Sequence, residues 1–245
     1  MSNIDPAMLG YFKSNYVPRL QLFVAVFKER FLNSFGTLED EAQAVSDGFW
    51  AQWCESAFDE NDAPDTMADA ALQAGVDFYI SLMSARQAYI NLAAVGLYHA
   101  WEQQVFEFYR GCVIGESYAD PVTHITLAKF QITMKGAGIC TESFSSFDII
   151  ETLQLCANAV KHGDGKSASE LRERRPDLFV RPGIHEQELR DLMTSRKLYT
   201  PLSGEDLYVT ESDLDAFLDG TVQFWTDMTK ALQTNFKGSW FSTSR

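Results

Sequence analysis

Phe78–Arg110 reads FYISLMSARQAYINLAAVGLYHAWEQQVFEFYR. It is rich in Ala, Leu, Met and Gln, contains no proline, and combines high helix propensity with helical spacing of its apolar residues. Val95, Tyr98, Glu102, Val105 and Phe106 fall near one face, with His99 beside it. The pattern extends back to about Thr66, which predicts one long helix over 66–110. Gly75 and Gly96 interrupt the pattern without ending it, as expected for close packing or a bend. Gly111 and Gly115 end it. A helix this long needs partners along its length, which other amphipathic segments of the chain must supply.

Several appear. In FKSNYVPRLQLFVAVFKERFLNSF (Phe12–Phe35), Pro18 suits the first turn of a helix carrying Leu20, Phe23, Val24, Phe27 and Phe31 at helical spacing. Gly36 closes it and Thr37 starts the next, which runs from Leu38 to about Phe58. DENDAPDT (59–66) reads as a loop. Asp120–Pro121 suits another helix start, with a helix over 122–133 that its β-branched residues weaken. Three capping-box patterns follow: Ser145 with Asp148, Ser167 with Glu170, and Thr210 with Asp213. They predict a helix from about 146 ending at His162–Gly163, a short basic helix stopping before Pro176, and a final helix to about Leu232. Residues 184–197 read as a surface helix. LSGEDLYVT (202–210) reads as a loop with a short extended piece, Leu207 and Val209 on one side.

Helical patterns dominate, so the expected class is all-α: a bundle of long antiparallel helices. One domain over 1–245 is expected, with its core bundle at about 8–163 and 210–235. The segment 164–208 is then a basic excursion, and the C-terminal helix returns to the bundle.

Composition narrows the function. Hydrophobic residues make up 46% of the 245 residues, including 18 Phe, which suffices for a sizeable core. Trp50, Trp53, Trp101 and Trp225 are expected to be partly buried within it. No apolar run approaches the roughly 18 residues a membrane span needs. The N-terminal stretch MSNIDPAMLGYFK lacks a basic segment followed by an apolar one, so a cytoplasmic protein is expected. Cys54, Cys112, Cys140 and Cys156 form no CxxC pair and read as buried thiols. The net charge of −14 disfavours a large nucleic-acid interface. Nine of the 20 Lys and Arg residues lie within 161–200, against seven acids there, a local net of +2.

The chemistry concentrates at the end of the predicted 146–162 helix, in LQLCANAVKHGDG (Leu153–Gly165). His162 is a candidate general base, because imidazole titrates near neutrality. Asn158, four residues earlier, shares its helix face. Lys161 points about 100° away and supplies a cation. A plain C-cap is the competing reading, since His and Lys in a last turn favour the helix dipole and can bond its carbonyls.

The NAVKHG run at the end of an amphipathic helix resembles the signature helix of the HEPN superfamily, over roughly residues 66–163. The resemblance implies a small all-α domain and a metal-independent ribonuclease, acting in a bacterial toxin or phage-defence setting. Its site would be composite, formed across a homodimer. Family members carry Arg, four to six residues, then His, often with a polar residue after the Arg. His162 matches the histidine and Asn158 the polar residue, but Ala157 stands at the arginine position. Lys161 is one candidate for the missing cation. Arg172, Arg174, Arg175 and Arg181 are others, provided the short basic helix folds over the histidine helix. Internal pairing with Glu173 or Asp177 is the alternative for them. Glu102, on the long helix, is the candidate carboxylate to orient His162, while His99 lies three residues from Glu102 and can pair with it locally. Four histidines without an HExxH motif make a metal site unexpected, and no cofactor is implied. The alternative to an RNA enzyme is a non-catalytic helical binding protein whose basic 163–200 segment docks a partner.

Overall fold

The computed structural model describes residues 10–55, 64–114, 125–181, 198, 201–202 and 206–234. They form an all-α fold, with no strand among the described residues. Helix α1 covers Val17–Val26 and is flanked by π-helical turns at Phe12–Tyr16 and Phe27–Phe31. The helix therefore begins before Pro18 instead of at it. The wider turn accommodates a residue that has no N–H to continue the α ladder. Helix α2 is Leu38–Glu55, preceded by Thr37, whose hydroxyl bonds the Asp40 carboxylate. Helix α3 is Pro64–Phe108, 45 residues or about 68 Å. Pro64 and Asp65, expected in the loop, open this helix instead.

Helix α4 is Leu127–Gly136, capped by the Thr126 side chain, which accepts from the Lys129 N–H. Helix α5 is Phe147–His162, α6 is Lys166–Arg174 and α7 is Glu211–Thr234. The predicted start at Asp120–Pro121 and the helix at 184–197 lie outside the described residues.

The long helix has two halves with different partners. Its first half packs on α2, and both glycines explain themselves as close approaches. A Cβ at Gly75 would lie 2.9 Å from the Ala42 carbonyl oxygen, and one at Gly96 would lie 2.6 Å from the Phe23 ring. Gly75 meets Ala42 while Tyr79 reaches back to Glu39, so α2 and α3 run antiparallel. Few side chains of this pair are buried. The second half of α3 lies in the core, where Ala94, Leu97, Val105 and Phe108 are fully buried against α1, α5 and α7. Trp101 and Trp225 are buried there too, whereas Trp50 remains 39% exposed.

Two amides on α3 fasten distant chain to this core. Gln104 donates to the Tyr16 carbonyl and accepts from the Trp225 indole N–H, at 3.0 and 2.9 Å. Asn91 donates to the Leu207 carbonyl and accepts from the Val209 N–H, with Gln87 donating to the Val209 carbonyl. Leu207 and Val209 are thereby buried as expected.

Of the three capping boxes, only one forms. Thr210 and Asp213 exchange hydrogen bonds at the start of α7. Ser145 and Ser146 instead turn to Asp227 of α7, which accepts from both hydroxyls and from the Ser146 N–H. Ser167 lies inside α6, whose N-cap is Gly165. The cysteines meet expectation only in part. Cys156 is buried, Cys140 half-buried and Cys54 exposed.

Replacing Gln104 with Leu leaves the Trp225 N–H buried without a partner. The substitution should destabilise the fold by about 1–3 kcal/mol, measured by chemical denaturation.

Burial opposes ionisation of Asp227, but hydrogen bonds from Gln223, Ser145 and Ser146 outweigh it and hold its acidity below the ordinary 3.8. Its stabilising contribution is therefore complete above pH 3.8 and fades as pH falls through the folded value. Asp227→Asn should lower stability by about 1 kcal/mol near neutrality. Melting curves of the two proteins should converge on acidification below that pH.

Candidate functional site

The end of α5 is closed by backbone alone. Gly163 has φ +72°, and a Cβ there would sit 3.1 Å from the Leu198 carbonyl oxygen. Its N–H donates to Ala159, while Leu202 N–H donates to the Val160 carbonyl and Asp164 N–H to that of Leu198. The expected glycine C-cap is present. Leu198 and Leu202 supply part of the closure, a role the competing reading gave to His162 and Lys161. That histidine is exposed, and no hydrogen bond or ion pair joins it to another described residue.

Lys161 turns the other way. It is half-buried, and its Nζ lies 3.2 Å from Nε2 of His99 on α3. The His99 Nδ1 lies 3.1 Å from Glu102 Oε2, and the Tyr98 hydroxyl donates to Glu102 Oε1 at 3.1 Å. The tautomer follows from donor counting. An ammonium group has only protons to offer, so Nε2 carries the lone pair and Nδ1–H donates to the carboxylate. Burial, then the adjacent Glu102 charge, pushes the Tyr98 phenol well above its ordinary pKa, so it remains a donor. The Gln154 side chain opposes part of that shift.

The result is a four-membered polar chain, Tyr98–Glu102–His99–Lys161, bridging α3 and α5. His99 retains 42% exposure of its side chain and Glu102 21%, so the imidazole is oriented from within and reachable from outside. The arrangement contains the parts of acid–base chemistry: a carboxylate fixing the imidazole, a ring nitrogen that keeps its lone pair, and a cation beside it. Asn158 is half-buried, three residues before Lys161 and four after Gln154, hence on the same helix face.

The expected residues thus separate. Glu102 bonds His99 and Tyr98; the proposed pairing with His162 is not formed. Ala157, at the family's arginine position, is fully buried, in a core too tight for a guanidinium. Three arginines of the basic segment are engaged, Arg172, Arg174 and Arg175. Arg172 pairs with Asp164 at 3.3 Å and lies 4.5 Å over the Phe179 ring. Arg174 pairs with Glu151 at 2.6 Å. Arg175 bridges Asp177 and Asp213, each at 2.6 Å. They fasten α6 and the turn at Pro176–Phe179 onto α5 and α7. Arg181 is exposed. Cys156 offers no nucleophile, because burial pushes its thiol up to about 12.

Sequence reasoning named Lys161 and the local His99–Glu102 pair but did not join the two across helices. The usable signal was the polar series Gln154, Asn158, Lys161 at i, i+4 and i+7, which marks one face of α5 turned to another helix.

Among the described residues, no group of three or more His, Cys, Asp and Glu side chains is placed to hold a metal ion. No helix among them is long and apolar enough to cross a membrane. No family model, curated protein or solved structure matches this chain.

If Lys161 and His99 interact as placed, a double-mutant cycle with Lys161→Ala and His99→Ala should give a coupling of about 0.5–1 kcal/mol in folding stability. A parallel cycle between His162 and Glu102 should give none.

Proposed function

We propose that the chain is a metal-independent endoribonuclease in which His99, and not His162, is the general base. The observation that carries this reading is the Glu102–His99–Lys161 alignment, with distances of 3.1 and 3.2 Å about a half-exposed imidazole. His99 Nε2 takes the proton of a ribose 2′-hydroxyl. The 2′-oxygen forms a bond to the adjacent phosphorus, and the bond from phosphorus to the 5′-oxygen breaks. That oxygen takes a proton from water, leaving a 2′,3′-cyclic phosphate and a 5′-hydroxyl end. Lys161 steadies the phosphate oxygens as charge builds on them, and Glu102 balances the charge on the protonated imidazole. Asn158 is placed to donate to the same phosphate.

The acidic surface and the internally paired arginines suit local contact with a short single-stranded segment over a long electrostatic track. A second copy of the chain supplying further cations, and a toxin or phage-defence setting, remain what the HEPN resemblance adds.

RNA incubated with the full chain in excess EDTA should be cut. His99→Ala should slow cleavage by at least ~100-fold, Lys161→Ala should also slow it strongly, and His162→Ala should change it less than threefold. Undiminished cleavage by His99→Ala refutes the assignment, as does failure of the wild-type chain to cut any single-stranded RNA.

A second reading, a non-catalytic binding protein, is favoured by a different observation. Leu72, Val76 and Ile80 form an exposed stripe at four-residue steps on the first half of α3, and Phe49 and Trp50 are exposed on α2. Under this reading the partner meets that arm, because Arg172, Arg174 and Arg175 of the basic segment are already paired within the fold.

A further inference from the structure

A cavity of about 360 Å³ opens beside the polar chain, between α3, α4, α5 and α7. Its inner wall is apolar and aromatic, with Trp101, Phe130, Ile150 and Phe224 all buried. Trp101 is 1% exposed, and its indole N–H has no hydrogen-bond partner. A buried donor of this kind normally finds an acceptor. Gln131 and Gln154 contribute amides to the lining, and Glu142 and Glu151 contribute carboxylates; no lysine or arginine lines it.

These features select a ligand by chemistry. The size fits a small organic molecule. The aromatic wall favours a flat ring, and the indole N–H calls for an acceptor on that ring's edge. The Gln131 and Gln154 amides call for donors and acceptors on the same edge. Glu142 and Glu151 are paired with Lys135 and Arg174, and no lysine or arginine among the lining residues is left to hold an anionic group. An uncharged heteroaromatic ring with both donors and acceptors on its edge meets all of these conditions.

The cavity is also joined to the candidate site. Gln154 and Trp101 both line it, Trp101 precedes Glu102 in the chain, and the Trp101 and Tyr98 rings are 5.8 Å apart. Along α5, Gln154 and Lys161 are separated by seven residues, about 10 Å. A single nucleotide spans that interval with its base at one end and its phosphate at the other.

We propose that the cavity between Trp101 and Gln154 is a nucleobase pocket, which holds an uncharged base while its phosphate lies outside against Lys161. The proposal rests on the ribonuclease reading for the phosphate, but the pocket's chemistry stands on its own lining.

The test titrates the full chain calorimetrically with adenosine, guanosine, cytidine and uridine, then with the corresponding dinucleotides. At least one nucleoside should bind, and its dinucleotide should bind at least tenfold tighter if the pocket serves an RNA strand. Equal affinity of the two would assign the pocket to a free nucleoside. Trp101→Phe should weaken binding at least tenfold. Ala128→Trp, an exposed position on the cavity wall, should block it without disturbing the core. Lys161→Ala should remove the dinucleotide's advantage and leave nucleoside binding intact. Nucleoside binding without RNA cleavage would refute the enzyme reading and retain the pocket. RNA cleavage with no nucleoside bound, unchanged in Ala128→Trp, would refute the pocket and retain the enzyme. Binding unaffected by both Trp101→Phe and Ala128→Trp would also overturn the pocket.

Discussion

The buried amide of Gln104 holds together three elements that sequence keeps far apart. It lies in the core half of the 45-residue helix, 5% exposed, and both ends of its side chain are committed. One end takes the Tyr16 carbonyl at the π turn before α1, and the other the Trp225 indole of α7. A buried amide left unpaired costs more than its hydrogen bonds contribute, so the arrangement penalises every other register. Hydrophobic burial drives these helices together but does not choose their axial positions. Gln104 does, and Asn91, three to four turns earlier, does the same for the segment at 207–209. Placing α7 also places Asp227, which then caps α5. The candidate site inherits its geometry from these links, because the Lys161–His99 distance depends on how α5 sits along α3.

Legibility in the sequence followed the range of the forces involved. The long helix, its two close-packing glycines, the Thr210–Asp213 box and the Gly163 stop all depend on neighbours within a few residues or on backbone conformation. Each was readable. The start of α5 was not. Ser145 and Asp148 have the spacing of a local box, yet Asp227, 82 residues from Ser145, competes successfully for its hydroxyl. The arginines were misleading for a related reason. A cluster at 172–175 looks like a basic patch until the fold brings Asp164, Glu151 and Asp213 to it. Formal charge counts residues, whereas an interface feels only charge that folding leaves unpaired.

The site turned on a smaller difference. Lys161 and His162 are adjacent in sequence and about 100° apart around the helix. Which of them faces α3 is decided by the rotation of α5, and that rotation is set by its buried residues. Leu153, Cys156, Ala157 and Val160 form the core face. Lys161 lies at the margin of that face, where its stem is covered and its ammonium can reach a partner. His162 lies beyond it.

The same rotation bears on the missing arginine. Ala157 is fully buried, so this helix cannot present a cation there without disrupting the core. A cation four residues later, at the margin, can be partly covered and still paired. There the lysine meets an imidazole already held by Glu102, and the imidazole and the ammonium arrive from different helices. Neither helix carries the whole polar chain by itself. The chain of contacts therefore exists only when α3 and α5 are docked, which ties this site to the packing of the core and explains why a motif confined to one helix describes it incompletely.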